Sequence, residues 1–222
     1  RIMEILSTGE KIRRARIYKG YTLKYICEDK ISVSKMSCIE NGKVIPEDWI
    51  LKFIANKLDL DIEYLRNDVR SQIRNNIETL NKSDKKLNYE EDLEYNLSFS
   101  EEYHYYEEAF KIMHMIFSYN INKGRFEKLQ ILIPKYYDIC LKSKSSENQL
   151  TYYMDIGSYL YDSNEYGQAA GYYNTIITES EKTGKSEVLA KAVFNECACY
   201  IMMNDYKKAY EIAKYLIELV DC

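Results

Sequence analysis

The sequence has few of the residues that interrupt regular structure, with 8 glycines and 2 prolines among its 222 residues. A β-rich fold needs turns between many short strands, and glycine and proline supply most of those turns. Apolar residues make up 46% of the chain, which is enough for a sizeable buried core. We therefore expect an all-α protein with one medium domain or two small ones.

The patterns of metal sites and disulfide frameworks are also missing. None of the six cysteines forms a C-x-x-C pair, and the only two histidines, His104 and His114, complete no zinc-ligand spacing. Buried, reduced thiols of an intracellular protein are the expected state of these cysteines. The sequence therefore predicts no metal site.

Long apolar runs and catalytic motifs are absent as well. No apolar run approaches the roughly 20 residues of a membrane span, and no signal peptide opens the chain. The sequence has no G-x-G-x-x-G, P-loop or G-x-S-x-G motif and no constellation of a nucleophile with a base. We predict a cytoplasmic protein with no membrane association, no cofactor and no enzymatic activity.

The net charge of −4 conceals an uneven distribution. Residues 1–45 hold ten Lys or Arg against five Asp or Glu, a balance of +5, and the remaining 21 basic and 30 acidic residues leave −9 for the rest. A small basic head on an acidic body suits contact with a phosphate backbone at one end only.

Apolar spacing and capping residues predict five short helices in residues 1–68. Hydroxyl residues are placed to cap the first three helices, and glycines are placed to end two of them: Thr8, Thr22, Ser32, Gly20 and Gly42. Pro46 predicts the first turn of a fourth helix. A fifth helix is predicted to begin near Asp61 and to bury Ile62 and Leu65.

The order of these residues resembles the Xre/Cro/λ-repressor type of helix-turn-helix over roughly residues 9–65. The matching segments are GEKIRRAR at 9–16, GYTLKYI at 20–26, SKMSCIENG at 34–42 and LDLDIEYL at 58–65, with Pro46 between the last two. The resemblance implies a DNA-binding domain whose third helix, residues 32–41, enters the major groove of double-stranded DNA.

The resemblance also assigns roles to exposed residues on and beside this helix. Candidates for contact with base edges are Val33, Ser34, Lys35, Ser37 and Cys38. Candidates for contact with phosphates are Thr22, Asn41 and Lys43. The alternative for each of them is an ordinary solvated side chain. Because one such domain would bind weakly, a dimer on a two-fold site is expected.

Two further positions are assigned by the resemblance, and two depart from it. In this family a helix-1 arginine pairs with the acid that ends the recognition helix, which implies an ion pair between Arg16 and Glu40. The polar residue that commonly follows the Thr22 position is Leu23 here. The glycine often found between the second and third helices is missing from residues 28–31.

Residues 69–98 predict linker helices, broken near residues 81–84. Ile73, Ile77 and Leu80 form an apolar stripe in an otherwise polar segment. The stripe connects the two domains or pairs with its copy in a dimer.

Residues 99–222 contain about three units with a period of 40 residues. A shift of 40 superposes Phe126, Tyr166 and Tyr206, each followed three residues later by an apolar residue. Each unit reads as two apolar helices joined by a short polar turn. The units resemble tetratricopeptide repeats with lengthened helices, and the second unit fits best; a plain helical bundle is the alternative.

The repeat resemblance implies an α-solenoid with a groove lined by the first helix of each unit, in which extended peptides lie. The implied peptide-binding residues are His114, Ser158, Tyr161, Phe194 and Asn195. Asn195 stands out because an amide both donates to and accepts from a peptide backbone. The alternative for Asn195 is an ordinary surface asparagine.

A helix-turn-helix head followed by such repeats resembles the peptide-responsive quorum-sensing regulators of the Rgg, PlcR and PrgX type. That resemblance implies a homodimeric transcription regulator whose repeats bind a signalling peptide. The alternative is a regulator whose repeats hold a protein partner, as in antitoxin-like or anti-repressor-controlled proteins. Since the family usually carries more than three units, we expect either that the chain is cut short or that dimerisation completes the array.

Overall fold

The computed structural model describes residues 3–84, 87–184 and 186–220, and it confirms the all-α fold. The helices in this part of the chain are α1 Thr8–Tyr18, α2 Leu23–Cys27, α3 Val33–Glu40, α4 Asp48–Leu58, α5 Ile62–Arg66, α6 Val69–Lys82, α7 Tyr89–Glu102, α8 Tyr106–Asn122, α9 Phe126–Ser143, α10 Ser146–Asp162, α11 Tyr166–Thr183, α12 Ser186–Met202 and α13 Tyr206–Val220. They form two compact units, unit 1 over residues 1–103 and unit 2 over 104–222. The predicted linker helices therefore belong to unit 1.

The first five helices of unit 1 enclose a single apolar core. Its fully buried members come from every one of these helices and include Ile12, Ile26, Met36, Ile54 and Leu65. α3 packs on α1 and α2, while α4 and α5 pack on α1 and on each other. This packing buries one face of α3 and leaves the opposite face in solvent.

The first and fourth helices begin one or two residues away from the predicted positions. Ser7, rather than Thr8, caps α1: its hydroxyl accepts from the Glu10 amide at 3.2 Å, and the Glu10 carboxylate accepts from the Ser7 amide at 2.9 Å. The Thr8 hydroxyl instead donates to the Leu65 carbonyl at 3.0 Å. Pro46 precedes α4 rather than opening it, because Glu47 is the N-cap.

Residues 3–6 run as a non-helical segment that α6 and α7 hold by side-chain hydrogen bonds. The Gln72 amide donates to the Leu6 carbonyl at 2.8 Å and accepts from the Leu6 amide at 3.1 Å. The Tyr95 hydroxyl accepts from the Ile5 amide at 3.0 Å, and Ile5 is buried. The α6–α7 hairpin is thus tied to the segment that leads into α1.

The described residues of unit 2 form three helical hairpins, α8–α9, α10–α11 and α12–α13, whose first residues repeat every 40 positions. The connections repeat too. Left-handed residues occur at Gly124, Asn164 and Asn204 within the hairpins, and at His104, Lys144 and Gly184 before each hairpin. Four of these six residues are glycine or asparagine, which adopt this conformation more readily than most residues. The sequence therefore favours most of these turns at fixed intervals.

The hairpins pack through aromatic side chains and one glycine. The ring of Tyr136 lies 5.2 Å from that of Phe117 and 5.0 Å from that of Tyr152, which joins α8, α9 and α10. In the second hairpin Gly157 faces Tyr173, and a Cβ at Gly157 would lie 2.7 Å from the Tyr173 ring. The absence of a side chain at residue 157 therefore sets the spacing of α10 and α11.

Helix hydropathy and the cysteine thiols can be described for residues 3–84, 87–184 and 186–220. No helix among them is both long and apolar enough to span a bilayer. The cysteines described are free thiols, and burial raises the pKa of Cys140 and Cys199 to about 11. These thiols are therefore protonated and poorly reactive at neutral pH.

Candidate nucleic-acid interface and repeat groove

α3 has the capping and the amphipathic character that its sequence predicts. The Ser32 hydroxyl accepts from the Lys35 amide at 3.0 Å, and Met36, Ile39 and Glu40 are buried against the core. The residues assigned to base edges lie on the other side: Val33 and Ser34 are exposed, and Lys35, Ser37 and Cys38 are half-buried. The candidate base-reading residues therefore share the accessible face of one helix.

The residues assigned to phosphates lie at the margins of this face. The Thr22 hydroxyl caps α2 by accepting from the Tyr25 amide at 3.1 Å, which leaves Thr22 exposed at a helix N-terminus. Asn41 and Lys43 are exposed after the end of α3. The Asn41 amide donates to the Ser37 carbonyl at 2.8 Å, so its side chain lies back along α3.

Arg16 and Glu40 lie together, as the resemblance implied. Arg16 donates from Nε to Glu40 Oε1 at 2.7 Å and from Nη2 to Oε2 at 2.9 Å, and its Nη1 donates to the Tyr21 carbonyl at 2.9 Å. Both side chains are largely buried, with 14% and 5% exposed. A bidentate pair of this kind fixes both distance and angle, and here it holds α3 against α1.

Gly9 permits the same approach of the two helices. A Cβ at Gly9 would lie 2.3 Å from the Ile39 carbonyl oxygen and 2.7 Å from that of Glu40. Because these are backbone atoms, no rotamer change would relieve the clash. The start of α1 therefore rests directly on the last turn of α3.

In the turn between α2 and α3, Glu28 occupies the position where the family often has glycine. Glu28 takes φ 48° and ψ −140°, a conformation that glycine adopts most readily. Its carboxylate accepts from Lys57 Nζ at 2.7 Å, and this hydrogen bond lowers the pKa of Glu28. The turn is thus formed without glycine, and an ion pair from α4 braces it.

An ion pair that the sequence did not predict lies beside the candidate base-reading residues. Lys35 Nζ donates to Glu47 Oε1 at 2.9 Å, and Trp49 Nε1 donates to Glu47 Oε2 at 2.7 Å. These hydrogen bonds and the charge of Lys35 lower the pKa of Glu47. The side chain with the best chemistry for a guanine contact is therefore already engaged.

Two cavities open on the face formed by α8, α10 and α12, the first helices of the three hairpins. The charged cavity, of about 290 Å³, is lined by His114, Glu147, Leu150, Thr151, Met154, Asp155, Glu187, Val188 and Lys191. The aromatic cavity, of about 330 Å³, is lined by Ile121, Ser158, Tyr161, Asp162, Tyr173, Phe194, Asn195 and Ala198. All five residues implied by the repeat resemblance line one cavity or the other.

Phe194 and Asn195 are two accessible residues of the aromatic cavity, which also contains the exposed Asp162. The Phe194 side chain is largely exposed although it is apolar. The Asn195 amide donates to the Met154 sulfur at 3.5 Å, and a thioether is a weak acceptor. A peptide carbonyl would be a better partner for this amide than the one it has.

His114 is hydrogen-bonded to a neighbouring helix. Its Nδ1 lies 2.6 Å from Asp155 Oδ2, which also accepts from the Tyr136 hydroxyl at 2.5 Å. Burial lowers the pKa of His114, but the hydrogen bond and the charge of Asp155 raise it, and the net shift is upwards. The three side chains come from α8, α9 and α10, so this network ties the first hairpin to the second.

No metal centre is formed by these residues. Among residues 3–84, 87–184 and 186–220, no three His, Cys, Asp or Glu side chains are grouped closely enough to hold a metal ion. The exposed polar residues of α3 in unit 1 and the two adjacent cavities in unit 2 are features suited to binding.

No family model and no curated protein matches the chain. Solved structures similar to it include PlcR of Bacillus thuringiensis in complex with a peptide and DNA, at 16% identity and TM-score 0.44, covering 97% of this chain and 95% of PlcR. The competence regulator ComR of Streptococcus vestibularis matches at 16% identity and TM-score 0.37, over 96% of this chain and 78% of ComR. The pheromone receptor Rgg2 of Streptococcus dysgalactiae matches at 12% identity and TM-score 0.31, over 91% and 99%.

Proposed function

We propose that this chain is a sequence-specific DNA-binding transcription regulator whose repeats bind a signalling peptide. The observation that carries the DNA-binding half is the geometry of α3. Its accessible face bears the candidate base-reading residues, and Arg16 and Glu40 hold it rigidly against α1. A helix fixed in this way is suited to the major groove, since its side chains meet base edges in one register.

DNA binding is tested by fluorescence anisotropy with duplexes from the chain's own promoter region across a salt series. Lys43→Ala is expected to weaken binding to all duplexes alike and to reduce the slope of log Kd against log salt by about 1. Ser34→Ala is expected to weaken binding only to the preferred duplex. Lys182→Ala, which removes an equal charge from an exposed position in unit 2, is the matched control. Wild-type protein without preference among duplexes at any salt would refute sequence-specific recognition.

Peptide binding rests on the two adjacent cavities and on the weakly bonded amide of Asn195. Each cavity is large enough for one or two side chains, and together they lie along one face of α10. An extended peptide would place its side chains in the cavities and its backbone against Asn195. A single compact ligand would use only one of them.

Peptide binding is tested with pools of synthetic heptapeptides, with thermal stabilisation of the protein as the readout. A peptide selected in this way is expected to lose most of its effect on Phe194→Ala and Asn195→Ala proteins. Thr175→Ala, which alters a separate cavity between α9 and α11, should bind it normally. Selected peptides that bind all three variants equally would place the site elsewhere.

Dimerisation is proposed on the outer side of the last hairpin. Tyr206, Tyr210 and Ile217 are 64%, 70% and 63% exposed, and their spacing places them on one face of α13. A protein surface covering α13 would bury them, and we propose that this surface is a second copy of the chain. Light scattering that shows a monomer at micromolar concentration would favour the second candidate, a regulator whose repeats hold a different protein.

A further inference from the structure

The contact between Lys35 and Glu47 joins the recognition helix to the start of α4. Lys35 is the third residue of α3, at the end of the helix that a major-groove reader turns towards the bases. Glu47 Oε1 lies 2.9 Å from its Nζ, so the carboxylate stands at the same edge of the protein. The pair is accessible, with 37% of the Lys35 side chain and 60% of the Glu47 side chain exposed.

Helix capping does not account for Glu47. It occupies the N-cap of α4, where Ser, Thr, Asp or Asn would stabilise the helix, yet its side chain makes no capping hydrogen bond. Exposed ion pairs contribute little to stability. The carboxylate instead turns towards Lys35 and is held there by a second donor, the Trp49 indole.

A carboxylate at a DNA-binding face opposes binding unless a base donates to it. It repels phosphates, and it occupies the amine that would otherwise bind any phosphate or acceptor nearby. A cytosine amino group is the base-edge donor that Glu accepts from, while the O6 and N7 atoms of guanine accept from Lys. A G·C pair therefore offers a partner to both side chains.

We propose that Glu47 is a specificity-determining residue for DNA. It holds Lys35 in an ion pair when no suitable base pair is present. It releases the Lys35 amine only at a G·C pair, where the cytosine amino group donates to Glu47 and the guanine accepts from Lys35. This inference rests on the proposed DNA-binding function. At a DNA site without such a pair, Lys35 stays in its ion pair with Glu47 and contributes nothing to the affinity for DNA. Glu47 thus suppresses binding to unselected DNA and enforces a G·C pair at one position of the operator.

The test compares three proteins in selection from a random duplex pool: wild type, Glu47→Gln and Asp48→Asn. Asp48 is the matched control, because it is the neighbouring carboxylate, is similarly exposed, and pairs with Lys52 and Arg66 rather than with Lys35. Circular dichroism checks that each variant is folded. Affinity for the wild-type consensus, for its copy with the G·C pair replaced by A·T, and for unselected DNA is then measured by anisotropy.

Wild-type and Asp48→Asn proteins are expected to select the same G·C pair. Glu47→Gln is expected to lose discrimination between G·C and A·T there by about 5- to 100-fold. The same variant should bind unselected DNA more tightly, with a salt slope steeper by about 1 because Lys35 is released. Trp49→Phe, which removes the indole donor and keeps an aromatic ring, should change both quantities in the same direction and by less.

Two results would overturn the proposal. If Glu47→Gln selects the wild-type consensus with unchanged discrimination, or if Asp48→Asn changes discrimination as much as Glu47→Gln, Glu47 has no specific role although DNA binding stands. If the wild-type protein binds no DNA, the proposed function itself fails and this inference fails with it.

Discussion

Gly157 and Gly171 lie inside helices of the same hairpin, and alanine at the two positions is expected to change stability in opposite directions. A glycine in a helix interior costs about 0.5–1 kcal/mol relative to alanine. At Gly171 an added Cβ meets nothing within 4 Å, so the full gain is available. Gly171→Ala should therefore raise the free energy of unfolding by about 0.5–1 kcal/mol.

At Gly157 the same gain is outweighed by overpacking. A Cβ would lie 2.7 Å from Cε1 and 2.8 Å from Cζ of Tyr173, and Tyr173 is only 2% exposed. Forcing an extra methyl group into a packed interface costs about 1–3 kcal/mol. We expect Gly157→Ala to lower the free energy of unfolding by about 1 kcal/mol net.

Urea unfolding followed by far-UV circular dichroism measures both changes. The chain's one tryptophan, Trp49, lies in unit 1, so its fluorescence is the internal control for two substitutions in unit 2. Tyr173→Leu added to Gly157→Ala should recover part of the loss, because the ring that clashes is gone. A Gly157→Ala protein as stable as Gly171→Ala would show that Tyr173 does not set the spacing of α10 and α11.

Three further perturbations test other contacts. Arg16→Ala should lower the free energy of unfolding of unit 1 by about 3 kcal/mol, because it leaves the buried Glu40 carboxylate without its partner. Tryptophan fluorescence in urea measures this change. If the free energy falls no more than it does when an exposed arginine is replaced, the structural role of the pair is refuted. The raised pKa of His114 means that its contribution to stability is fully present below its unfolded pKa of about 6.5 and is lost as pH rises through the folded value. The stability difference between wild type and His114→Gln should therefore be larger at pH 6 than at pH 9, and a constant difference would contradict this coupling. Gln72→Ala should increase amide hydrogen exchange at Leu6, since it removes both side-chain hydrogen bonds to that residue; unchanged protection would mean that the segment is held by other contacts.

Helix caps and turns were predictable from the sequence where a short residue pattern determines them. Ser32 and Thr22 precede apolar stripes, and both cap the helices assigned to them. Ser7 was missed although its signal was present, because Ser7 and Glu10 have the three-residue spacing of a capping box while the neighbouring Thr8 has none. The period of 40 was predictable because the same residue types recur at the same turns.

Contacts between distant residues were predictable only where a family pattern names both partners. Arg16 and Glu40 are 24 residues apart and were paired by resemblance alone. Lys35 and Glu47 are 12 residues apart, and no spacing rule links them. His114 and Asp155 are 41 residues apart, one more than the repeat period, so the repeat predicts that their helices are neighbours but does not single out this pair. Their meeting depends on how a loop and two hairpins pack, which a single sequence does not encode in any local pattern.

Because the hairpins and their turns have a constant length, the length of unit 2 can change in steps of one 40-residue copy. Since α10 begins at Ser146 and α12 at Ser186, removal of 40 residues would bring the third hairpin to the position of the second with its turn residues in place. Each added or lost copy would lengthen or shorten the surface formed by α8, α10 and α12 by one helix, without altering the register of the others. Selection can therefore change the reach of this surface by recombination between copies, independently of point mutations in the residues that line it.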